Sequence, residues 1–336
     1  MTFKKVSLIV LNYNGKEHLQ ECFDSIFRQT QVPDEVILMD NNSKDGSISF
    51  MAKNFPTVKI IKNRFNSGTA EGSNIAFRKT SGNYVIFQSN DIRLDRNCVQ
   101  ALVETMDSSP AVGIASSVLL RYDKDKKINR HLIDNAGGVA DVYGFGMQKY
   151  WGRKIEDIPA QKEIFFSYGG SFIIRRETYA LVGGFDDRYF TLGDDIDLSW
   201  RVRLLGLKVI CNKKSFIYHK VSATLGPLFG KPMKRFWSEK NSMRTLLKNH
   251  DALTLIKRFP IYLCLLVGEM GYFLARGRFS LFMADVRAIL WNIRYFPETI
   301  RLRHKIQKLK AKNNVNKLLI KKSLKIKYFN DFKGGI

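Results

Sequence analysis

Short apolar runs alternate with stretches of helical spacing through the first two thirds of the chain. Val6-Ser7-Leu8-Ile9-Val10-Leu11 reads as a strand that ends in Asn12-Tyr13-Asn14. Leu19, Cys22, Phe23, Ile26 and Phe27 then recur on one helical face. The unit repeats. Val36-Ile37-Leu38-Met39 ends in Asp40-Asn41-Asn42-Ser43, a short helix starts near Ser47, and Val58-Lys59-Ile60-Ile61 is the next strand. A helix over Ala70 to Lys79 leads to Tyr84-Val85-Ile86-Phe87, which runs into Gln88-Ser89-Asn90-Asp91. Residues 121–164 are irregular, rich in charge and glycine, and read as a long excursion outside the core. Periodicity returns with a strand over Phe165 to Ile174, a helix over Arg176 to Val182, and a second helix whose face is Leu198, Val202 and Leu205, closed by Gly206. A last short strand ends at Tyr218-His219.

This alternation predicts an α/β fold with a parallel, doubly wound sheet, in which ligands bind beyond the carboxyl ends of the strands. The polar clusters around Asn12, Asp40 and Asp91 all fall at those ends. One such cluster is an ordinary turn; three favour a site. Neither a GxGxxG nor a GxxxxGK[ST] pattern follows the first strand, so a dinucleotide fold and a P-loop are poorly supported. Gly68, Gly72 and Asn74 stand at the third helix, where small residues let backbone approach a phosphate or simply make a tight turn.

Composition narrows the class. With 336 residues, 45% hydrophobic and 12% aromatic, the chain is long and apolar enough for a sizeable core, and it is neither disordered nor fibrous. Its four cysteines are scattered without paired spacing, which argues against a disulfide framework or a cysteine zinc site. The apolar stretch before Asn12 is short for a leader, and the fifteen residues from Ile261 to Ala275 include Glu269, so neither export nor a spanning helix is expected.

The net charge of +24 is concentrated at one end: from Lys231 onward there are 24 Lys and Arg against 6 Asp and Glu. Aromatic residues such as Trp237, Tyr262, Phe273 and Phe279 interleave with Lys257, Arg258, Arg276, Arg278, Arg287, Arg294, Arg301 and Arg303. That mixture predicts a helical, basic extension over 231–336 that associates with an anionic membrane surface, its last stretch from Lys305 a frayed tail. The alternatives are a solvated or homo-oligomer face and nucleic acid; no nucleic-acid-binding signature is present, and no such partner is expected. Residues 1–230 are then read as one unit, distinct in charge from this extension.

Three carboxylates, Asp194, Asp195 and Asp197, open the helix that precedes Gly206. The helix dipole favours acids there, but three within four positions exceed what capping needs, and one is a candidate general base. His219, directly after a strand, suits a divalent ion held together with a carboxylate such as Asp91, although a lone histidine is more often a structural hydrogen-bonder.

In order and spacing, Leu11-Asn12-Tyr13-Asn14, Asp40-Asn41-Asn42-Ser43, Asn66-Ser67-Gly68, Ser89-Asn90-Asp91, Gly183-Gly184-Phe185-Asp186, Asp194 to Arg201 and Tyr218-His219 resemble the family 2 glycosyltransferases, closest to their rhamnosyltransferase-like branch. The resemblance covers about residues 5–225 and implies a glycosyltransferase A-type fold, a catalytic domain over 1–230 with a nucleotide-binding half at 1–110 and an acceptor half at 111–230. Carried over, it makes Asn12 and Asp40 contacts to the nucleoside, with Asn42 and Asn74 further nucleotide-side candidates. Asp91 becomes the carboxylate of the metal motif, His219 its second ligand, and Asp195 the base, with Asp194 where family members usually carry Glu. Gly170, in Gly169-Gly170-Ser171, is a candidate for diphosphate or acceptor contact; a strand-entry turn explains it nearly as well. Where members commonly show Asn-Pro-Asp or Asp-x-Asp, this chain has Ser89-Asn90-Asp91, which leaves one carboxylate.

The expected activity is inverting transfer of a sugar, rhamnose leading, from a nucleoside diphosphate to a hydroxyl of a glycan or lipid-linked acceptor. Mg²⁺ or Mn²⁺ is the expected cofactor, and the inner face of the cell membrane the expected place. The competing reading is a non-catalytic basic scaffold or nucleic-acid-binding protein that retains a nucleotide-binding fold.

Overall fold

The computed structural model describes residues 4–121, 132–220, 230–309 and 315–321. Four strands build the first half: β1 (Val6–Asn12), β2 (Glu35–Asp40), β3 (Lys59–Lys62) and β4 (Tyr84–Ser89). Between them run α1 (Lys16–Phe27), α2 (Ser47–Asn54) and α3 (Gly68–Phe77). The second half contains β5 (Ile92–Leu94), α4 (Cys98–Asp107), β6 (Val112–Arg121), β7 (Ile133–Asn135), β8 (Gly138–Ala140), β9 (Gly146–Gln148), β10 (Gln161–Glu163), β11 (Ser171–Arg175), α5 (Arg176–Leu181), α6 (Asp194–Leu204) and β12 (Lys208–His219). Four helices follow: α7 (Lys231–Asn249), α8 (Ala252–Ala275), α9 (Phe279–Arg294) and α10 (Phe296–Lys308).

One sheet runs β10-β12-β6-β11-β4-β1-β2-β3, with β5 joined to β12 and β7 to β6; β8 and β9 form a separate ribbon. The parallel arrangement read from the sequence holds for β3-β2-β1-β4. It does not hold beyond, because β11 lies antiparallel between β4 and β6. The strand expected from Phe165 begins only at Ser171. Phe165 and Phe166 instead pack with Trp200 and Leu246, since the chain turns at Gly169-Gly170 before entering the sheet.

Strand alternation divides the core between the two faces of the sheet. Leu8 and Val10 of β1 pack with Leu19, Phe23 and Ile26 of α1 on one face. Ile9 packs on the other with Ala70 and Ala76 of α3. α3 turns small residues inward (Gly68, Ala70, Gly72, Ser73 and Ala76 are buried), and a Cβ on Gly72 would stand 3.2 Å from the Asn41 amide. The helix therefore sits close against the carboxyl ends of β1 and β2. Because β2 and β4 flank β1 on opposite sides, the strand order reverses at the β1/β4 edge, the place at which open α/β sheets form their ligand crevice.

A change of residue character near position 230 does not separate two cores. Met243, Leu246 and Leu247 of α7 and Tyr262 and Leu266 of α8 share one cluster with Ala140, Phe165, Trp200 and Leu204. Among the described residues the basic tail expected from Lys305 is still helical as far as Lys308; 310–314 and 322–336 lie outside them.

Candidate active site

The site grows from the ends of β1, β2 and β4. Asn12 and Asp40 are register partners, and Asn12 Nδ2 donates to Asp40 Oδ2 at 2.9 Å and to Ser43 Oγ at 3.1 Å. Asn12 Oδ1 accepts from Asn90 Nδ2 at 2.6 Å, which ties β1 to the turn after β4 across the crevice. Gly15 allows that tie: a Cβ there would fall 2.0 Å from the Asn90 amide nitrogen. The other Asp40 oxygen accepts from Ser43 N at 2.8 Å. Asp40 is 0% exposed, so its carboxylate shapes the 41–45 loop rather than standing open to a nucleoside, as the sequence reading had it. Asn42 is part exposed at φ 67°; its amide donates to the Arg64 carbonyl at 3.0 Å and its oxygen accepts from Lys44 Nζ.

Asn74 and Gly170 are elsewhere. The Asn74 amide donates to Phe185 O at 2.9 Å and Asp187 Oδ1 at 2.5 Å, while its oxygen accepts from Tyr179 and from Phe185 N. Every polar atom of that side chain thus holds the 183–187 loop, and Gly184 gives it room, since a Cβ there would lie 2.5 Å from Asn74 Oδ1. Gly170 packs beneath the site, its carbonyl accepting from Ser89 N at 3.1 Å and its α-carbon facing Leu119 and Ile92. Its neighbour Gly169 is the one that reaches the site.

Asp91 and His219 come together. β5 pairs with the end of β12, so that Ile92 and His219 are register partners and His219 Nε2 stands 3.7 Å from Asp91 Oδ2. The other ring nitrogen, Nδ1, lies 3.0 Å from Oδ2 of Asp134, a residue of β7 that the sequence reading did not single out. It sits in the irregular 121–164 segment, where no periodicity marks it; only the β6–β7 pairing brings it to His219. Burial lowers the His219 pKa, but the Asp134 hydrogen bond and the Asp91 charge outweigh it, and the net shift is upward.

The chemistry of these donors fits a divalent cation. A carboxylate oxygen and an imidazole nitrogen 3.7 Å apart can share an ion at ~2.1 Å from each, and a carboxylate on the far ring nitrogen is the usual device for fixing the ligating one. Among the described residues no three such side chains form a complete cage, so a cation here needs oxygens from a ligand or water.

α6 supplies the carboxylates. Gly193 precedes it at φ 80°, turning the chain so that Asp194 and Asp195 open the helix. Asp194 Oδ2 accepts from Thr69 Oγ1 at 2.7 Å, and Thr69 N donates to Phe190 O at 2.7 Å, which fastens α3 to this loop. Asp195 takes Gly169 N at 3.2 Å on one oxygen and Ile196 N at 2.8 Å on the other. Burial, then the neighbouring Asp194 charge, push the Asp195 carboxyl up to about 7; burial also raises Asp194. Asp197 is different. Despite its burial, Arg201 and Lys248 hold it below the usual carboxylate range, with Arg201 Nη2 at 2.8 Å and Asn249 Nδ2 at 3.0 Å. Its role is to fix α6 to α7.

Tyr168 precedes the Gly169 turn, and burial followed by the charges of Asp195, Asp134, Asp91 and Asp194 holds its phenol well above its ordinary value.

The family profile described as "Glycosyl transferase family 2" matches residues 7–181, more than half of the chain. The chain belongs to glycosyl transferase family 2. Within the family it is 25% identical over 235 residues to the N-acetylglucosaminyl-diphospho-decaprenol L-rhamnosyltransferase of Mycobacterium tuberculosis, an alignment covering 65% of this chain and 76% of that one. It is 26% identical over 235 residues to the O-antigen biosynthesis protein RfbC of Myxococcus xanthus, covering 66% of this chain and 18% of the much longer relative. The fold is the glycosyltransferase A type. The mannosyltransferase PcManGT of Pyrobaculum calidifontis, solved with GDP-Man and Mn²⁺, superposes with TM-score 0.53 at 18% identity over 92% of this chain and 86% of that one. GalNAc-T7, solved with UDP, GalNAc and Mn²⁺, superposes with TM-score 0.58 at 15% identity over 74% and 48%.

Proposed function

We propose that this family 2 glycosyltransferase moves a sugar, rhamnose as the leading candidate, with inversion and with Mg²⁺ or Mn²⁺, from a nucleoside diphosphate to a hydroxyl of a glycan or lipid-linked acceptor in cell-surface polysaccharide synthesis. The observation that carries the reading is the Gly169-Gly170 turn, where Gly169 N donates to Asp195 at 3.2 Å while Gly170 accepts from Ser89 N at 3.1 Å and packs on Ile92, next to Asp91 and its partner His219, so that a candidate base and a candidate cation site adjoin. The mycobacterial relative, named for rhamnosyl transfer to a lipid-linked sugar, supports the choice of donor and acceptor class.

Asp195 takes the proton of the acceptor hydroxyl as that oxygen attacks the anomeric carbon and the bond to the diphosphate breaks. A carboxyl raised to about 7 is matched to this work near neutrality. The Gly169 and Ile196 amides fix its rotation and leave each oxygen a second lone pair for the substrate. Asp194, held by Thr69, adds the negative charge that makes Asp195 the stronger base. Asp91 and His219 would hold the cation, whose contribution is to neutralise the departing diphosphate. Asn12 and Asp40 serve the nucleotide side by setting the 41–45 loop and, through Asn90, the start of the Asp91 turn. The basic helices keep the enzyme peripheral on the inner face of the cell membrane, beside a lipid-linked acceptor.

The scaffold reading draws on the +24 charge. Arg235, Lys240, Arg244 and Lys248 are spent on internal partners, which weakens that support. The test is incubation with deoxythymidine diphosphate rhamnose and uridine diphosphate hexoses, reading the anomeric configuration of the product by NMR. An inverted, cation-dependent product that Asp195→Asn fails to form is expected; a retained configuration, or full turnover by that variant, overturns the mechanism.

A further inference from the structure

We propose that the outward face of α8 and α9 docks on an anionic lipid bilayer, the two helices lying side-on in its headgroup layer. This names the surface behind the membrane-peripheral reading above and rests on it.

Neither helix has the polar outer face of a helix built for water: α8 is apolar on both sides, and α9 turns polar and small residues inward and large apolar ones outward. α8 buries Tyr262, Leu266, Glu269 and Phe273. It presents Leu253, Ile256, Ile261, Val267 and Leu274 along its outer side, Ile256 at 71% and Val267 at 64% exposed. α9 buries Ala284, Asp285, Ala288 and Asn292 and presents Phe279, Leu290 and Ile293. Among the described residues, ten of the eighteen exposed large hydrophobic side chains fall between Leu253 and Phe296, so exposed apolar surface is concentrated in this segment rather than scattered over the molecule. The acids of the two helices point inward: Arg235 of α7 donates to Glu269 Oε1 at 2.7 Å and to Asp285 Oδ1 at 2.7 Å.

Charge selects the occupant. Between 230 and 309 every acidic side chain is engaged within the protein. Glu239, Glu269 and Asp285 are buried, Asp251 caps α8 through Thr254, and Glu298 pairs with Arg188 and Arg244. The bases Lys257, Arg276, Arg278, Arg287 and Arg294 are exposed along or beside the apolar stripe, Arg276 and Arg278 at the Gly277 turn that joins the helices. A second copy would set arginine against arginine, whereas acyl chains and anionic headgroups match both features. No helix among the described residues is long and apolar enough to cross a membrane, which fits helices lying along the surface. α7 links this face to the loop that precedes α6. Its Asn241 donates to Thr191 O at 2.8 Å, and Asn292 of α9 donates to Lys240 O at 3.1 Å.

Flotation of the full chain with vesicles of phosphatidylcholine, alone or mixed with phosphatidylglycerol, tests this. The unmodified chain should float with the anionic vesicles. Ile256→Glu with Val267→Glu, and separately Leu290→Glu with Ile293→Glu, should lower partitioning roughly tenfold or more. Arg276→Gln with Arg278→Gln should remove mainly the preference for anionic lipid. Because these positions are exposed, stabilisation by deoxythymidine or uridine diphosphate with Mn²⁺ should be unchanged in every variant. An unmodified chain that floats with neither vesicle, or glutamate variants that float as well as it does, overturns the proposal. So does a lipid-indifferent dimer that the glutamate variants dissolve in light scattering. Normal flotation with no nucleotide stabilisation in any protein would leave the docking face standing and sink the donor and cation reading of the proposed function instead.

Discussion

The crevice at the carboxyl edge of the sheet and the C-terminal helical layer treat charge in opposite ways. In the crevice, Asp194 and Asp195 stand side by side, neither carboxylate paired with a Lys, Arg or His side chain among the described residues, and burial lifts both. Around α7, every buried acid has a base: Asp186 with Arg244 and Lys248, Asp197 with Arg201 and Lys248, Glu269 and Asp285 with Arg235. Unneutralised carboxylates tie up free energy where a proton is to be moved, while neutralised ones hold elements in register. The two patterns meet in α6, whose first two residues belong to the crevice and whose Asp197 belongs to the clamp.

Removing the base separates the regions most sharply. Asp195→Asn should lower turnover about 10²–10⁴-fold with donor affinity and folding retained. The unmodified enzyme's kcat/KM should rise with pH and level off above about 7, since the carboxylate works only when ionised. A profile that levels off near 4 would assign the base elsewhere. On the clamp side, Lys248→Met leaves Asp186 and Asp197 under-neutralised in a buried place. It should cost about 3–5 kcal/mol of stability, read as a shifted denaturation midpoint, and only secondarily affect turnover in the folded fraction. Asp134→Asn should weaken Mn²⁺ affinity about 10–100-fold through the orientation of His219, visible by titration calorimetry without any turnover. The smallest effect belongs to Asn42→Ala, which loses an exposed hydrogen bond to the Arg64 carbonyl and another from Lys44 Nζ, about 0.5–1.5 kcal/mol; a larger loss of donor affinity would mean that Asn42 touches the nucleotide itself.

What could be read without coordinates follows the same division. The β1, β2 and β4 ends and the acids opening α6 were legible, because apolar runs ending in polar residues report strand ends and a Gly before clustered acids reports a helix start. Asn74 misled, since its position beside Gly68 and Gly72 says nothing of the loop at 183–187 that it holds, more than a hundred residues away. Asp134 was invisible for a similar reason. The basic end was read correctly as helical, but its charge was read as one surface. Trp237, Tyr262 and Phe273 are buried, and Arg303 donates to the Leu247 carbonyl at 2.7 Å. Hydrophobic periodicity cannot tell an inward apolar face from an outward one when a helix is apolar on both, and α8 is such a helix.

The claim that a cation site and a base share one crevice is tested most directly by the thermal stability of the full chain. Midpoints are compared across deoxythymidine, uridine and guanosine diphosphates, each with Mg²⁺, Mn²⁺ or EDTA. One nucleotide should stabilise in the presence of metal, by about 2.7 kcal/mol at a hundred times its Kd, and the gain should vanish in EDTA and in Asp91→Asn. Equal stabilisation in EDTA, or an undiminished gain in Asp91→Asn, would contradict the assignment of Asp91 and His219 to the cation.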